Sequence, residues 1–270
     1  ALGISESKVY NPEQIPFLPV SFFKTHKITT GDFIEEAVFE SSGTMGSETS
    51  RHYVADTGLY ETSFTRGIEL FYGDLSQYAV FALLPSYLER RNSSLVYMVE
   101  KLRMKSNQQM GGFFLHELES LQKQLTEAHD AGLKIMLFGV TFALLEMAEK
   151  FPVSIPGAVV FETGGMKGRR KELTRMELHE KLCSGFGVAK IHSEYGMTEL
   201  LSQAWSAGDG IFRCPPWMRV LIADTNDPLS YIETGRTGGI NIIDLANFHS
   251  CSFLATQDLG RVFDDGSFEV

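Results

Sequence analysis

Lys134-Ile135-Met136-Leu137-Phe138-Gly139-Val140 is an apolar run of strand length, and Phe142 to Lys150 directly after it has the spacing of a helix. On its other side, Glu117 to Ala131 reads as an amphipathic helix. Leu118, Leu121 and Leu125 recur on one face, the rest is charged or polar, and Gly132 marks the end. The same alternation continues outward in both directions. Tyr78 to Leu84 is a second apolar run, closed by Pro85, and a helix from about Ser94 to Met104 follows with Leu95, Met98, Val99 and Leu102 on one side. Ala158 to Phe161 is a third strand, running into Thr163-Gly164-Gly165. Strands that alternate with helices need crossover connections, so the predicted fold class is α/β, with mostly parallel sheets and flanking helices.

Away from this centre the signals change. Ile4 to Lys27 is rich in Pro and Phe without a period and reads as an irregular lead packed on the body. Phe33 to Glu40 is strand-like, Thr57 to Tyr72 is helix-compatible with Leu59, Phe64, Ile68 and Phe71 on one face, and Phe113 to Leu115 is ambiguous. Val188 to His192 reads as a strand. After Met218, the segments Arg219 to Ala223, Gly239 to Ile243, Ser252 to Ala255 and Gly260 to Val270 read as short strands between turn clusters. The expected organisation is one large domain spanning residues 1–270, with an α/β body over about 1–217 and a smaller β-rich part over 218–270.

Composition narrows the function. With 270 residues and 43% hydrophobic content the chain can bury a substantial core. A net charge of -10 and a pI near 5.2 argue against a nucleic-acid backbone or an anionic membrane as the main partner. The three cysteines, Cys183, Cys214 and Cys251, have no zinc or redox spacing, which fits a reducing, cytoplasmic setting. No apolar run approaches the roughly 20 residues of a membrane span, and the first residues do not look like a signal peptide. The chain begins at Ala1 without Met, as a piece of a longer protein would.

Two stretches carry chemistry. Ser41-Ser42-Gly43-Thr44-Met45-Gly46-Ser47 is a hydroxyl- and glycine-rich loop after a strand-like run. Its backbone N–H groups could converge on an anion and its hydroxyls add donors, so it reads either as a polyphosphate cradle or as an ordinary Ser/Gly turn. It is not a Walker loop, because the glycines are too close and no Lys follows the second. Glu194-Tyr195-Gly196-Met197-Thr198-Glu199 offers a ring, a hydroxyl and two carboxylates at a glycine turn, where open α/β sheets bind ligands, or else it is a polar turn with a packed Tyr.

The order Ser-Ser-Gly-Thr-x-Gly, Thr-Gly-Gly, Tyr-Gly-Met-Thr-Glu, Thr-x-Asp-Leu-Gly resembles the adenylate-forming superfamily of acyl-CoA synthetases, adenylation domains and luciferases. The likeness is nearest to the acyl-protein synthetases of bacterial bioluminescence, with phenylacetate-CoA ligases further off. It runs from about Phe39 to the end and includes Ala82-Leu83-Leu84-Pro85-Ser86-Tyr87. The resemblance implies that a carboxylic acid, fatty acids among the candidates, is joined to ATP as an acyl-adenylate and passed to a thiol of coenzyme A or a protein cysteine. It implies that Ser41, Ser42, Gly43, Thr44, Gly46 and Ser47 hold the β- and γ-phosphates. Gly164 and Gly165 would lie against adenine with Tyr195 and Gly196 covering it. Thr198 would donate to the α-phosphate, Glu199 would hold Mg²⁺, and Asp258 would accept from the ribose hydroxyls. Thr198 and Glu199 are thus the expected catalytic residues, and Phe138 to Leu145 is the expected acyl-pocket stretch.

The sequence departs from the family in two ways. Its phosphate loop lacks the usual terminal Lys, leaving Arg51 or Lys167 as substitutes, and the chain stops at Phe268-Glu269-Val270, before the small C-terminal lid domain with its mobile lysine. The expectation is a chain that binds ATP but adenylates slowly or not at all unless the lid is supplied. A homo-oligomeric copy or a reductase is the protein partner the resemblance suggests, and a thiol acceptor at Cys251 and roles for His52, His192 and His249 compete with plain packing. The rival readings are a nucleotide-binding regulatory or scaffold module without turnover and an unrelated nucleotide- or sugar-phosphate-transfer enzyme.

Overall fold

The computed structural model describes residues 9–42, 48–84, 92–106, 109–164 and 173–270. The loop residues Gly43, Thr44, Gly46 and Ser47, together with Gly165 and Lys167, lie outside the described residues, so the roles expected of them are not assessed further.

The elements in chain order are β1 (Leu18–Pro19), α1 (Phe22–Thr25), β2 (Ala37–Glu40), β3 (Arg51–Val54), α2 (Thr57–Tyr72), β4 (Tyr78–Leu83), α3 (Ser94–Lys105), β5 (Gly111–Phe113) and α4 (Leu118–Asp130). Then come β6 (Lys134–Val140), α5 (Thr141–Lys150), β7 (Val159–Thr163), α6 (Arg175–Phe186), β8 (His192–Tyr195), β9 (Ala204–Ser206) and β10 (Phe212–Arg213). The chain finishes with β11 (Met218–Ala223), β12 (Gly238–Asp244), β13 (Phe253–Val262) and β14 (Phe268–Glu269).

The central strands form as the apolar runs require. β4 is buried along its whole length and β6 from Ile135 onward, because parallel neighbours flank them and helices cover both faces. The order β5-β4-β6-β7-β8 is parallel throughout. From β8 the ladder continues antiparallel through β9, β10, β14, β13, β12 and β11, and β1 pairs in parallel with β13. The fold is therefore mixed α/β: a parallel half with its helices and an antiparallel half built mainly from the C-terminal residues. Each half has its own apolar cluster. One gathers Phe81, Phe138 and Phe161 with α2 to α6, and the other Phe23, Ile240, Ile242, Leu254 and Phe268.

The structure corrects three sequence expectations. The strand expected at Val188–His192 lies at His192–Tyr195, so Glu194 and Tyr195 belong to the strand itself. The two strands expected at Ser252–Ala255 and Gly260–Val270 are instead one ten-residue strand, β13, followed by a turn and β14. The irregular lead contributes β1 and α1, and Phe23 is buried beneath the antiparallel half.

Candidate functional site

The carboxyl ends of β4, β6, β7 and β8 open onto one cavity of about 150 Å³. Its lining includes Leu84 after β4, Val140 at the end of β6, Thr163 and Gly164 at the end of β7, and Gly196, Met197 and Thr198 after β8. The hairpin β2–β3 adds Glu40 and Ser42, and the start of α3 adds Ser93 to Val96. Four residues singled out in the sequence, Ser42, Gly164, Gly196 and Thr198, thus meet although they are spread over more than half the chain. An adjoining cavity of about 400 Å³ is lined by Gly164, Thr163 and Glu194 again, with Tyr195, Arg175, Leu178 and Phe212. A larger cavity of about 720 Å³ lies between α2 and the β10–β11 region, and its lining includes none of the predicted site residues. The smaller two lie at the carboxyl ends of the parallel strands, where open sheets bind ligands.

Ser41 closes the β2–β3 hairpin. Its N–H donates to the Ser50 carbonyl at 3.1 Å, and its Oγ accepts from the Ser50 N–H at 2.9 Å. Arg51, one candidate for the absent loop lysine, is engaged instead with Glu40 at 3.3 Å across the same hairpin. Gly164 has φ of +77°, a left-handed turn that a side chain would strain, and it forms the partition between the two cavities. Gly196 makes room for its neighbours: a Cβ there would stand 2.2 Å from Glu194 Oε1 and 3.2 Å from Gln203 Cγ.

Tyr195 is partly buried, edge-on to Phe212 and Phe268, and its hydroxyl donates to Asp258 Oδ2 at 2.8 Å. Burial, with the Asp258 charge beside it, pushes the phenol well above its ordinary range, so it stays a donor. Thr198 and Glu199 are held from behind. The Thr198 carbonyl accepts from His52 Nδ1 at 2.8 Å and the Glu199 carbonyl from Asn247 Nδ2 at 2.7 Å. Asp244, fully buried, accepts from the N–H groups of Leu201 (2.8 Å) and Ser202 (3.0 Å) and from Ser202 Oγ (2.5 Å).

Four titrating groups in and behind the site are displaced from their ordinary ranges. Burial pushes the Glu194 carboxyl up to about 7, against the 2.8 Å hydrogen bond from Thr163 Oγ1 and helped by the neighbouring Glu162 charge. Burial opposes ionisation of Glu162 as well. Here His179 at 3.9 Å and the hydroxyls of Ser193 and Thr141 prevail and hold it below the ordinary value. Burial depresses His52 to about 4, so it is a neutral imidazole that bonds a backbone carbonyl. His192 is likewise depressed to about 4 and faces the Tyr72 hydroxyl at 3.1 Å, while His249 packs on Phe33 and Phe248.

Burial also raises the thiols of Cys183, Cys214 and Cys251, Cys214 to about 12, and Cys251 Sγ donates to the Phe253 carbonyl. These are packed thiols, unlike the lowered ones of nucleophiles. Of the stretch Phe138 to Leu145 expected to line an acyl pocket, only Val140 and Thr141 reach the two cavities. Phe138 is in the core, stacked on Phe161 at 4.6 Å. Tyr60, Met98 and Gln203 line the smaller cavity without any signal in the sequence beyond the helical period of the first two.

For Mg²⁺, Glu199 is the candidate ligand. It is 7% exposed, and among the described residues no group of three or more His, Cys, Asp or Glu forms a metal cluster. Mg²⁺ binds through one or two carboxylates with water and phosphate oxygens, so Glu199 offers the right donor type, but it lines neither cavity. No helix of the described residues is long and apolar enough to cross a membrane.

No protein-family model and no curated protein matches the sequence. Solved structures do. ATP-bound MatB from Rhodopseudomonas palustris is 15% identical with a TM-score of 0.64, over 89% of this chain and 48% of that one. VinN is 14% identical with a TM-score of 0.60, over 91% and 62%. A 2-hydroxyisobutyryl-CoA ligase in complex with 2-HIB-AMP is 13% identical with a TM-score of 0.68, over 99% and 60%. The chain spans about half to three fifths of the length of these neighbours. At this identity the likeness is one of fold: the chain has the α/β fold of the adenylate-forming ligases.

Proposed function

We propose that the site activates a carboxylic acid with ATP to an acyl-adenylate for transfer to a thiol acceptor. A carboxylate oxygen attacks the α-phosphorus, the bond from that phosphorus to the bridging oxygen breaks, and pyrophosphate leaves. A thiolate then attacks the acyl carbon and AMP leaves. The observation that carries this reading is the convergence of Ser42, Gly164, Gly196 and Thr198 on one cavity at the carboxyl ends of four parallel strands.

In this reading adenine occupies the larger of the two cavities, against Gly164 and Tyr195, and the ribose faces Asp258. Asp258 accepts from the hydroxyl of Tyr195, the residue that lines that cavity. The phosphates run past Thr198 toward the hairpin loop after Ser42. Thr198 Oγ1 donates to the α-phosphate, where charge builds during attack. Glu199 would hold Mg²⁺, which would supply positive charge to phosphate oxygens. The raised thiols of the three cysteines favour an external acceptor, coenzyme A or another protein's cysteine, over a thiol of this segment.

The test is calorimetric titration with ATP and AMP in Mg²⁺, followed by mass detection of acyl-AMP after incubation with pooled carboxylic acids. Binding in the micromolar range that is lost in Thr198→Ala and Asp258→Ala is the expected result. Absence of adenine-nucleotide binding by the intact chain refutes the proposal.

A further inference from the structure

Thr198 and Glu199 are the two middle residues of a turn, closed by the Leu200 N–H donating to the Met197 carbonyl at 3.1 Å. A turn of this kind bonds the groups at its ends and leaves the carbonyls between them without a local partner. Side chains from other parts of the chain supply the donors. His52 Nδ1 donates to the Thr198 carbonyl at 2.8 Å, and Asn247 Nδ2 donates to the Glu199 carbonyl at 2.7 Å. With the Asp244 bonds to Leu201 and Ser202, these contacts fix where the turn stands relative to the sheet.

The bond from His52 has a second consequence. His52 lies in β3 opposite Phe39 of β2, and this hairpin is a two-stranded sheet of its own, outside the ladder of the large sheet. The hairpin carries Ser42, which lines the same cavity as Thr198. The His52–Thr198 bond is thus a direct polar link between the hairpin and the turn after β8, and the two hydroxyls facing that cavity take their spacing from it. The ring is built to hold this link. It is 0% exposed and edge-on to Phe23 of α1 at 5.5 Å. Burial keeps it neutral, and a carbonyl can only accept, so the single ring proton sits on Nδ1. Packing against Phe23 alone would be served by any aromatic ring; the donor is needed only for the turn.

We propose that His52 is a positioning residue for the α-phosphate: by holding the Thr198 carbonyl it aims the Thr198 hydroxyl at that phosphate and keeps it in register with Ser42. This inference rests on the nucleotide reading above.

Comparing adenosine with AMP tests this without turnover, because the two ligands differ only in the phosphate. Both are titrated calorimetrically, with Mg²⁺, into the intact chain and into three variants. His52→Phe keeps a ring against Phe23 and has no donor. His52→Asn places an amide N–H where Nδ1 stands, whereas His52→Gln places it where Nε2 stands. A hydrogen bond to a charged group is worth roughly tenfold or more in affinity, so His52→Phe should cut the preference for AMP over adenosine about tenfold. Adenosine itself should bind the variant within about twofold of the parent, and His52→Asn should restore the AMP preference to within about threefold. A residue that merely fills space would show no such rescue, since Asn is the smaller side chain. If His52→Phe does not fold by circular dichroism, His52→Gln carries the same comparison with His52→Asn. An unchanged AMP preference in the donorless variant, an equal loss for adenosine and AMP, or no rescue by His52→Asn overturns this proposal and leaves the nucleotide reading intact. Failure of both adenosine and AMP to bind the parent chain overturns the nucleotide reading itself, and this proposal with it.

Discussion

Replacing Asp244 with Ala tests how the site is held. Its carboxylate sits in the interior at 0% exposure and accepts from the N–H groups of Leu201, Ser202 and Ala246 and from Ser202 Oγ. A directional chain ends on it: Trp217 Nε1 donates to Ser63 Oγ, Ser63 can donate to Ser202 Oγ, and Ser202 donates to Asp244. Truncation leaves the Leu201 and Ser202 peptide N–H groups buried without acceptors, at about 1–3 kcal/mol each. Relief of the carboxylate's own burial returns part of this, since burial pushes its pKa up even against four donors. The net loss should be about 3 kcal/mol, in the range found for breaking a buried charged network. For a domain of this size that lowers the melting temperature by about 6–12 °C. Asp244→Asn should recover little, because its amide places a donor against donors. Urea denaturation at pH 7 and calorimetry measure both variants, and a loss below 1 kcal/mol for Asp244→Ala would refute the reasoning.

Three further outcomes are expected. Glu194 holds a proton in the folded chain that the unfolded chain has released between its ordinary value of 4.5 and about 7, so stability falls as pH rises through that window. Glu194→Gln should remove this slope and be more stable than the parent above pH 7 by about 2–3 kcal/mol, read as the difference between two urea series from pH 4.5 to 8; identical slopes would refute it. Gly196→Ala places a Cβ 2.2 Å from Glu194 Oε1, so it should cost about 1–3 kcal/mol and weaken acyl-adenylate analogues at least tenfold, by denaturation and titration. Cys214, raised to about 12, should react with a disulfide reagent at pH 8 far more slowly than a free thiol does, and mass spectrometry of the labelled native chain after brief exposure would detect any early modification.

The parallel half is written plainly in the sequence. Tyr78–Leu83 and Lys134–Val140 are buried on both faces, so apolar content alone marks them, and the helices between them show their period. β8 is harder to read because it is polar where it is most buried. His192 and Ser193 are acceptable inside only because Tyr72 and Glu162 bond them, and partners so distant are invisible along the chain. The apolar Val188 and Ile191 just before it draw the reading four residues too early. α6 carries a legible signal, with a Thr174/Glu177 capping box and Leu178, Leu182 and Phe186 in step, next to the basic run at 167–171. In the site, Ser42, Gly164, Gly196 and Thr198 stand in recognisable strings, whereas Tyr60, Met98 and Gln203 become site residues only when the sheet brings strand ends together.

That division bears on how the site works. The parallel half supplies the strand ends and the cavity floor, but the segment from Thr198 to Ser202 is fixed by groups from elsewhere. His52 comes from β3, and Asp244 and Asn247 come from the end of β12 and the turn after it. Tyr195 in β8 is tied to Asp258 in β13 in the same way. Each of these bonds joins residues more than 40 positions apart, so each depends on the tertiary fold and none on local structure. A ligand that touches Thr198 and Asp258 together therefore binds only the state in which both apolar clusters are formed. By linkage it must raise the stability of the whole molecule by RT ln(1 + [L]/Kd), and the two halves should melt as one unit when it is bound.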